Sequence, residues 1–519
     1  MYISQLLTRA VQMKRDAIAS ICSDRVHTYG QLQTRVQKFA GVLQEHGIGE
    51  GERVAILAQN SDRYLEFYYA VPWAGGVFVP VNTRLAVPEF AYWLNDSGSE
   101  ILLVDDAFAG VVPDLISLVS SLRHVFYIGD GDTPTGMLNY EDELAKTAPV
   151  PDAGRGGDDL AGLFYTGGTT GVSKGVMLSH RNFVVNTMNS LPAYGFDEKS
   201  RWLHVAPMFH IADGCAVFGA TMGLSAHVMT PGFTPAATMA AIQEHKITTT
   251  LLVPTMVNMV VNDPTITDYD LSSLTKIVYG ASPMPESVIV KALDLLPKCG
   301  FTHAYGQTEC APLVTFTGPE FHVLEGPNAG RFKSAGRAAY AVDVRIFDED
   351  DNEVPYGTIG EVCVRGDNVM LGYWNKPEQT AEAMRNGWMH TGDGGYMDEQ
   401  GFVYIVDRVK DMIISGGENV YSAEVENALY QHEAVAECAV IGIPHEKWGE
   451  QVHAIIRLAD GKTAEEKELI EFTHSLIAGF KCPRSADFVS EPLPLSGAGK
   501  ILKTELRKPY WDDQGKSVS

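Results

Sequence analysis

No two cysteines in this 519-residue chain stand in a Cys-x-x-Cys spacing. The seven present, Cys22, Cys215, Cys299, Cys310, Cys363, Cys438 and Cys482, are scattered and odd in number. Such a set speaks against a disulfide framework and a structural zinc site, and reduced thiols are the expected state. Long apolar runs are missing too. None approaches the roughly 18 residues a membrane-spanning helix needs, and the first residues meet Arg9, Lys14 and Arg15 too early for a signal-peptide core. A cytoplasmic protein is expected. Positive charge is scarce: 40 Lys+Arg against 65 Asp+Glu give a net charge of −25. A surface so acidic repels nucleic acid and anionic membranes, so a cation that handles phosphate must be placed locally.

What is present reads as globular: 45% hydrophobic and 20% charged residues, in a chain long enough for two or more domains. The first third alternates helix and strand patterns. A helix runs from about Tyr29 to a stop at Gly47, followed by the strand Arg53–Leu57, a helix near 64–73, a strand at 77–81, a helix near 89–94 and a strand at 101–104. This alternation predicts a mostly parallel sheet covered by helices. A second round follows, with strands at 248–252 and 276–279 and an amphipathic helix at 286–296. From Gly336 to Ile405 short alternating runs, such as 343–347 and 360–365, predict an antiparallel β unit. Beyond Asp407 a small α+β domain is expected. Its first helix begins at Ser422, read as the capping residue, and its strands lie at 438–443 and 452–457.

One string demands chemistry. Tyr165-Thr-Gly-Gly-Thr-Thr-Gly-Val-Ser-Lys-Gly175 follows the apolar run 160–164 and surrounds one lysine with glycines and hydroxyls. Successive backbone amides in such a loop can cradle a phosphate, with Lys174 adding charge. It is not the common P-loop, because Lys174 follows Ser173 and precedes Gly175, and it is not Gly-x-Gly-x-x-Gly.

This string resembles the phosphate-loop signature of the adenylate-forming (AMP-binding) superfamily, with Gly168 where serine is usual and Ser173 where proline is usual. Five further matches follow in order. They are Pro207-Met-Phe-His210, His303-Ala-Tyr-Gly-Gln-Thr-Glu309, His390-Thr-Gly-Asp393, Asp407-Arg-Val-Lys-Asp411 with Ser415-Gly-Gly-Glu-Asn419, and Ser496-Gly-Ala-Gly-Lys500-Ile501. The resemblance spans about residues 165–503. It implies a large α/β domain over 1–406, with two doubly wound subdomains and a β-barrel-like one, and a small mobile α+β lid over 407–519.

It also implies a two-step reaction. A carboxylic acid attacks the α-phosphate of ATP to give an acyl-adenylate and pyrophosphate, and the thiol of CoA then displaces AMP. Joining two anions requires cations and donors fixed in advance. By resemblance Lys500 bridges the carboxylate and the α-phosphate, Thr308 donates to the phosphate, Glu309 holds Mg²⁺, and His210 stands beside the acyl group. The phosphate loop contributes Thr166, Gly167, Gly168, Thr169, Thr170, Gly171 and Lys174. The adenine site takes Gly280, Ala281, Ser282, His303, Ala304, Tyr305, Gly306 and Gln307, with His303 replacing the usual amide. Asp393 and Arg408 hold the ribose, with Tyr404 nearby. Lys503, just past the catalytic lysine, is expected as a plain charge on a helix surface.

The lid is expected to turn between the two steps about 407–411, with Lys410 as pivot, so that Gly416 and Gly417 then face the pantetheine of CoA. Val217, Phe218, Ala281, Cys310, Ala311, Pro312 and Leu313 are expected to form an apolar wall for a fatty or aryl-substituted acid. An amino-acid substrate is disfavoured because Phe209 is followed by His210 rather than an acid, although Asp213 lies close by. The expected partners are the acid, ATP and CoA, with a carrier protein as the alternative acyl acceptor and a homodimer left open.

Overall fold

Four β-sheets organise the described residues, three built from residues up to Arg408 and the fourth from residues beyond it. The computed structural model describes residues 1–166, 173–408, 411–415, 418–445, 447–495 and 501–511, and for Arg408 the backbone alone. Its architecture is a large N-terminal α/β domain with mixed sheets, followed by a small α+β domain.

The early alternation folds as its pattern requires. Helix Tyr29–Glu45 is opened by a capping box in which the Thr28 side chain accepts from the Gln31 amide and Gln31 returns the contact. It is followed by strand Arg53–Leu57, helix Asp62–Ala74, strand Val77–Pro80, helix Val87–Ser97 and strand Ile101–Val104. These strands join an eight-stranded sheet that continues through Leu160–Thr166 and Lys174–Ser179 to Gly372–Tyr373. The central strands pair in parallel and are buried, as short apolar runs covered by helices should be.

The second round builds a nine-stranded sheet. Its parallel centre contains Arg201–His204, Thr249–Leu251, Lys276–Gly280 and Gly300–Gly306. Strand Ile18–Cys22, from the start of the chain, pairs in parallel with Ala226–Met229 and so completes this distant sheet. Between the sheets lies an aromatic core. The Phe218 ring meets Tyr68, Tyr69 and Phe183 at centroid distances of 5.8, 5.7 and 5.3 Å. Val217 and Phe218, expected in the acid-pocket wall, are both 0% exposed and belong to this core. Of the seven expected wall residues, only Ala281 and Pro312 keep appreciable accessible surface.

The antiparallel unit is present as Val342–Phe347, Gly360–Gly366, Trp388–Met397 and Val403–Arg408 with a short Met384–Arg385 strand. The last sheet contains Ile413–Ser415, Glu418–Val420, Val435–His445, Gly449–Leu458 and Ser485–Val489. It packs on helices Ser422–Leu429 and Glu466–His474 over a core of its own that includes Val425, Leu429, Val440, Ile456 and Leu469. Ser422 is not the cap. Tyr421 holds that position, and Ser422 begins the helix by donating both its amide and its hydroxyl to Asp407 Oδ2, at 2.6 Å each. An acid from outside the helix thus supplies the acceptor that a capping side chain would have given. Among the described residues no helix is long and apolar enough to cross a membrane.

Candidate active site

The glycine-rich string leaves strand Leu160–Thr166 and returns along Lys174–Ser179. The two strands are antiparallel, with Thr166 opposite Lys174. The loop is therefore closed at its neck as a hairpin, unlike a strand-to-helix P-loop. Gly167, Gly168, Thr169, Thr170 and Gly171 lie outside the described residues. The neck is braced from behind: Tyr165 stacks on Trp93 at 4.9 Å and donates to Asp96, and the Trp374 amide donates to the Gly175 carbonyl.

The expected adenine end forms at the edges of two neighbouring strands. Gly280 pairs with Ala304 in parallel. A Cβ on Gly280 would stand 2.0 Å from the Ala304 carbonyl oxygen, so only glycine allows this approach. Ala281 follows with φ 70°, a left-handed conformation that turns the chain off the strand, and Ser282 continues the bend. His303 lies flat against Tyr279, with ring centroids 4.9 Å apart and planes 3° apart. Its Nδ1 lies 2.9 Å from the Ser334 carbonyl and must donate to it. Burial, opposed by that bond, lowers its pKa, so the ring is neutral at pH 7 and Nε2 is left as an acceptor.

Tyr305 donates to Asp393 Oδ2 at 2.7 Å, bringing two separate motifs together. Asp393 stands opposite Arg408 across the antiparallel pair Trp388–Met397 and Val403–Arg408. Tyr404, four residues before Arg408 on the same strand, stacks on Tyr396 and accepts from Arg331 at 2.9 Å. The Asp393 turn is held by Glu361, which accepts from the Gly392 amide at 2.9 Å and contacts His390 Nδ1 at 2.8 Å, while the Thr391 hydroxyl donates to the Val362 carbonyl. Glu361, Cys363 and His390 lie close enough together to suggest a metal. Arg385 already pairs with Glu361, however, and burial raises the Cys363 thiol's pKa, so the cluster reads as a brace.

Gly306 and Gln307 lead from Tyr305 into the short turn Thr308–Cys310, where Thr308 and Glu309 are each 9% exposed. Glu309 Oε1 accepts from the Tyr373 hydroxyl at 2.8 Å, and the Lys174 ammonium lies over the Tyr373 ring at 4.8 Å. Tyr373 was not foreseen. It belongs to a two-residue strand, Gly372–Tyr373, too short to announce itself. The turn is secured by Met370, whose amide donates to the Glu309 carbonyl, and by Asn368, which donates to the Cys310 and Leu313 carbonyls. Burial, with Glu309 and Asp393 nearby, raises the Cys310 thiol's pKa, so this cysteine is inert. The amide nitrogen of Gln307 is buried without a partner among the described residues.

His210 caps helix Ile211–Met222, its Nδ1 accepting from the Ala212 amide at 3.3 Å. Asp213 is settled more firmly. Its oxygens contact Trp202 Nε1 at 3.0 Å and His204 Nδ1 at 2.9 Å, and the residue is 1% exposed. His204 continues to His227, and His227 to Thr221. This acid is committed to the core and is not offered to a substrate amine.

Lys500, Lys410, Gly416 and Gly417 lie outside the described residues, as does the Arg408 side chain. The described part of the small domain shows what the sequence did not. Trp448 stacks on His445 at 4.2 Å, with the Arg484 guanidinium 3.7 Å from its ring centre and Lys447 at 5.6 Å. This cationic aromatic cluster surrounds a hairpin whose Gly449 pairs with Ser415. Lys503 is not a plain surface charge: it forms an ion pair with Glu426 at 2.7 Å, with the two side chains 14% and 15% exposed.

The AMP-binding enzyme family matches residues 7–374, and the AMP-binding enzyme C-terminal domain matches residues 424–500. The feruloyl-CoA synthase of Amycolatopsis sp. is 38% identical over 503 residues, covering 97% of this chain and 98% of that one. The fatty acid–[acyl-carrier-protein] ligase ScoC of Streptomyces coeruleorubidus is 35% identical, covering 96% and 95%. The crystal structure of ATP-bound MatB from Rhodopseudomonas palustris superposes with a TM-score of 0.88 at 30% identity, covering 99% of this chain and 100% of that one. With both parts of the family matched along one chain and the motif residues joined as described, this chain belongs to the AMP-binding enzyme family.

Proposed function

We propose that this protein is an ATP-dependent acid–CoA ligase that activates a hydrophobic carboxylic acid as its acyl-adenylate and then passes the acyl group to CoA. The observation that carries the reading is a continuous run of residues. Asp393 bonds Tyr305, the chain from Tyr305 reaches Glu309, Glu309 bonds Tyr373, and Tyr373 lies beneath Lys174. Such a track offers, in order, ribose, phosphate and loop contacts to one nucleotide.

In this reading Asp393 accepts from the ribose hydroxyls and His303 Nε2 accepts from the adenine amino group. Thr308 donates to the α-phosphate, and Lys174 supplies charge at the loop neck. Glu309 fits a divalent cation: Tyr373 takes only one of its two oxygens, and a hard oxygen ligand at a phosphate suits Mg²⁺, which would neutralise the nucleotide's charge. Lys500 brings the ammonium that offsets repulsion between carboxylate and phosphate, and the lid turns about 407–411 between the two steps. His210 borders the acyl group, and its bond to Ala212 fixes the ring while keeping its hydrogen on Nε2.

CoA is favoured over a carrier protein by the cluster about Trp448. A flat ring beside Arg484 and Lys447 suits the phosphoadenosine of CoA, which a carrier-borne pantetheine lacks. The relatives' names point to aryl-substituted acids such as ferulate and to fatty acids. Pyrophosphate and AMP release should therefore be measured with ferulate, cinnamate, benzoate and a fatty-acid series, with CoA or a phosphopantetheinylated carrier as acceptor. Acid-dependent pyrophosphate and CoA-dependent AMP are expected. If no acid elicits pyrophosphate, the reading fails; if only the carrier releases AMP, the acceptor is wrong.

A further inference from the structure

The segment 407–411 begins and ends in an acid, and both acids face the last described helix, Lys503–Trp511. Ser422 donates its amide and hydroxyl to Asp407, and Lys503 Nζ donates to that same hydroxyl at 2.5 Å. Lys503 also pairs with Glu426 at 2.7 Å. One turn further along, Arg507 donates to the Asp411 carboxylate at 3.0 Å and to its carbonyl at 3.3 Å. Lys503 and Arg507 stand four residues apart and so share a helix face. Glu426 is anchored in turn, its Oε1 accepting from the Val440 amide at 2.8 Å. Just before the helix, Leu495 and Ile501 form an antiparallel bridge, and the Leu502 amide donates to the Pro494 carbonyl at 2.8 Å.

We propose that Lys503 and Arg507 are positioning residues for adenylation: Lys503 ties the helix that follows Lys500 to Glu426 and, through the Ser422 hydroxyl, to Asp407, Arg507 ties it to Asp411, and together they fix where the Lys500 ammonium can reach. The inference rests on the proposed role of Lys500. A surface charge would need none of this, whereas Lys503 is largely buried and surrounded by acids. Burial alone would lower its pKa, but Glu426, Asp407 and Asp411 outweigh that and raise it. Lys500 stands only three residues before Lys503 in the chain, and the Leu495–Ile501 bridge anchors the start of the helix segment, so an error at Lys503 passes to Lys500 through the connecting backbone. Arg507 adds a second fixed point, which prevents the helix from swinging about the first.

The test separates the half-reactions of the full-length enzyme. Lys503→Met is expected to slow acid- and ATP-dependent pyrophosphate release about 100-fold, the scale expected for misplacing a reacting group by about 1 Å. Transfer to CoA from supplied acyl-adenylate should change by less than about threefold, because that step does not use the Lys500 ammonium. Lys503→Arg should recover most of the loss, since it keeps the charge. The double variant Lys503→Met with Glu426→Gln removes the pair without stranding a buried carboxylate and should show the same split. Equal loss in both half-reactions, or no loss in either, overturns the proposal. So does failure of both the single and the double variant to fold, since the pair would then hold the lid together rather than aim a lysine. Lys500→Ala, measured alongside, distinguishes the two levels. Undiminished pyrophosphate release would sink the role of Lys500 itself, whereas its loss with an unaffected Lys503→Met would sink the clamp alone.

Discussion

His303 replaces the amide usual in its motif, and sequence alone left its contact open. The structure supplies the missing constraint. Because Nδ1 must donate to the Ser334 carbonyl, the neutral ring can only accept at Nε2, as an amide oxygen would. A discriminating acceptor should tell an amino group from a carbonyl. ATP carries an amino group at position 6 of its base and ITP a carbonyl, so the wild-type enzyme should prefer ATP strongly. His303→Ala is expected to raise KM for ATP by about tenfold, in keeping with about 1.4 kcal/mol for one lost hydrogen bond, and to leave KM for ITP nearly unchanged. Equal effects on both nucleotides would show that His303 only packs against Tyr279. Tyr305, Asp393, Thr308 and Glu309 were nameable from their motifs, but Tyr373, which links Glu309 to Lys174, was not. A tyrosine in Gly372–Tyr373 has no local signature, and its role exists only through contacts with Lys174 and Glu309.

At the scale of elements, local patterns were legible and long-range pairings were not. Helix Tyr29–Glu45 is written in its capping box, and strands such as Arg53–Leu57 in short apolar runs. Strand Ile18–Cys22 pairs across about two hundred residues with Ala226–Met229, a partnership no window on the sequence can contain. The Ser422 cap was misread for a related reason, since the acceptor comes from Asp407 in another sheet. Lys503 was misread because helix periodicity cannot reveal a buried acid on a neighbouring helix. Gly280 lies between these extremes. Its small size was readable, whereas the close approach to Ala304 depends on the parallel register of two strands. Gly280→Ala places a methyl group 2.0 Å from the Ala304 oxygen, and the strands must separate. A loss of about 1–3 kcal/mol in stability is expected, together with weaker ATP binding, because the spread opens at the proposed adenine end. Thermal unfolding with and without ATP checks both. An unchanged melting temperature would mean that the strands yield freely.

The whole molecule carries buried histidines that fold only in their neutral form, and this ties its stability to pH. His180 Nδ1 accepts from the Ile3 amide at 3.2 Å, and His322 Nε2 accepts from the Tyr279 hydroxyl at 2.8 Å while Nδ1 donates to the Gly318 carbonyl. Protonating His180 Nδ1 destroys its bond to the Ile3 amide, and protonating His322 Nε2 forces the Tyr279 hydroxyl to turn and accept while placing a charge in the core. Burial lowers both pKa values from 6.5 to about 4, against the opposing influence of Asp159 on His180 and of the Gly318 carbonyl on His322. The sign follows from linkage. Between pH 6.5 and 4 the unfolded chain binds protons that the folded chain refuses, so stability falls as the pH drops through that window and changes little from these groups above it. Each histidine should lower stability by about 2 kcal/mol at pH 5 relative to pH 7. His180, at the start of helix His180–Tyr194, ties the chain's N-terminus to that helix, and His322 supports Tyr279 beneath His303, so the loss bears on the large domain and on the proposed adenine site. Urea unfolding followed at pH 7 and pH 5 should show a lower midpoint at pH 5. In the double variant His180→Gln with His322→Gln, the gap between the two midpoints should shrink by the equivalent of about 4 kcal/mol, whatever the variant costs at pH 7. An undiminished gap would mean that other groups, such as the Arg-paired carboxylates Asp130 and Glu141, set the acid limit instead.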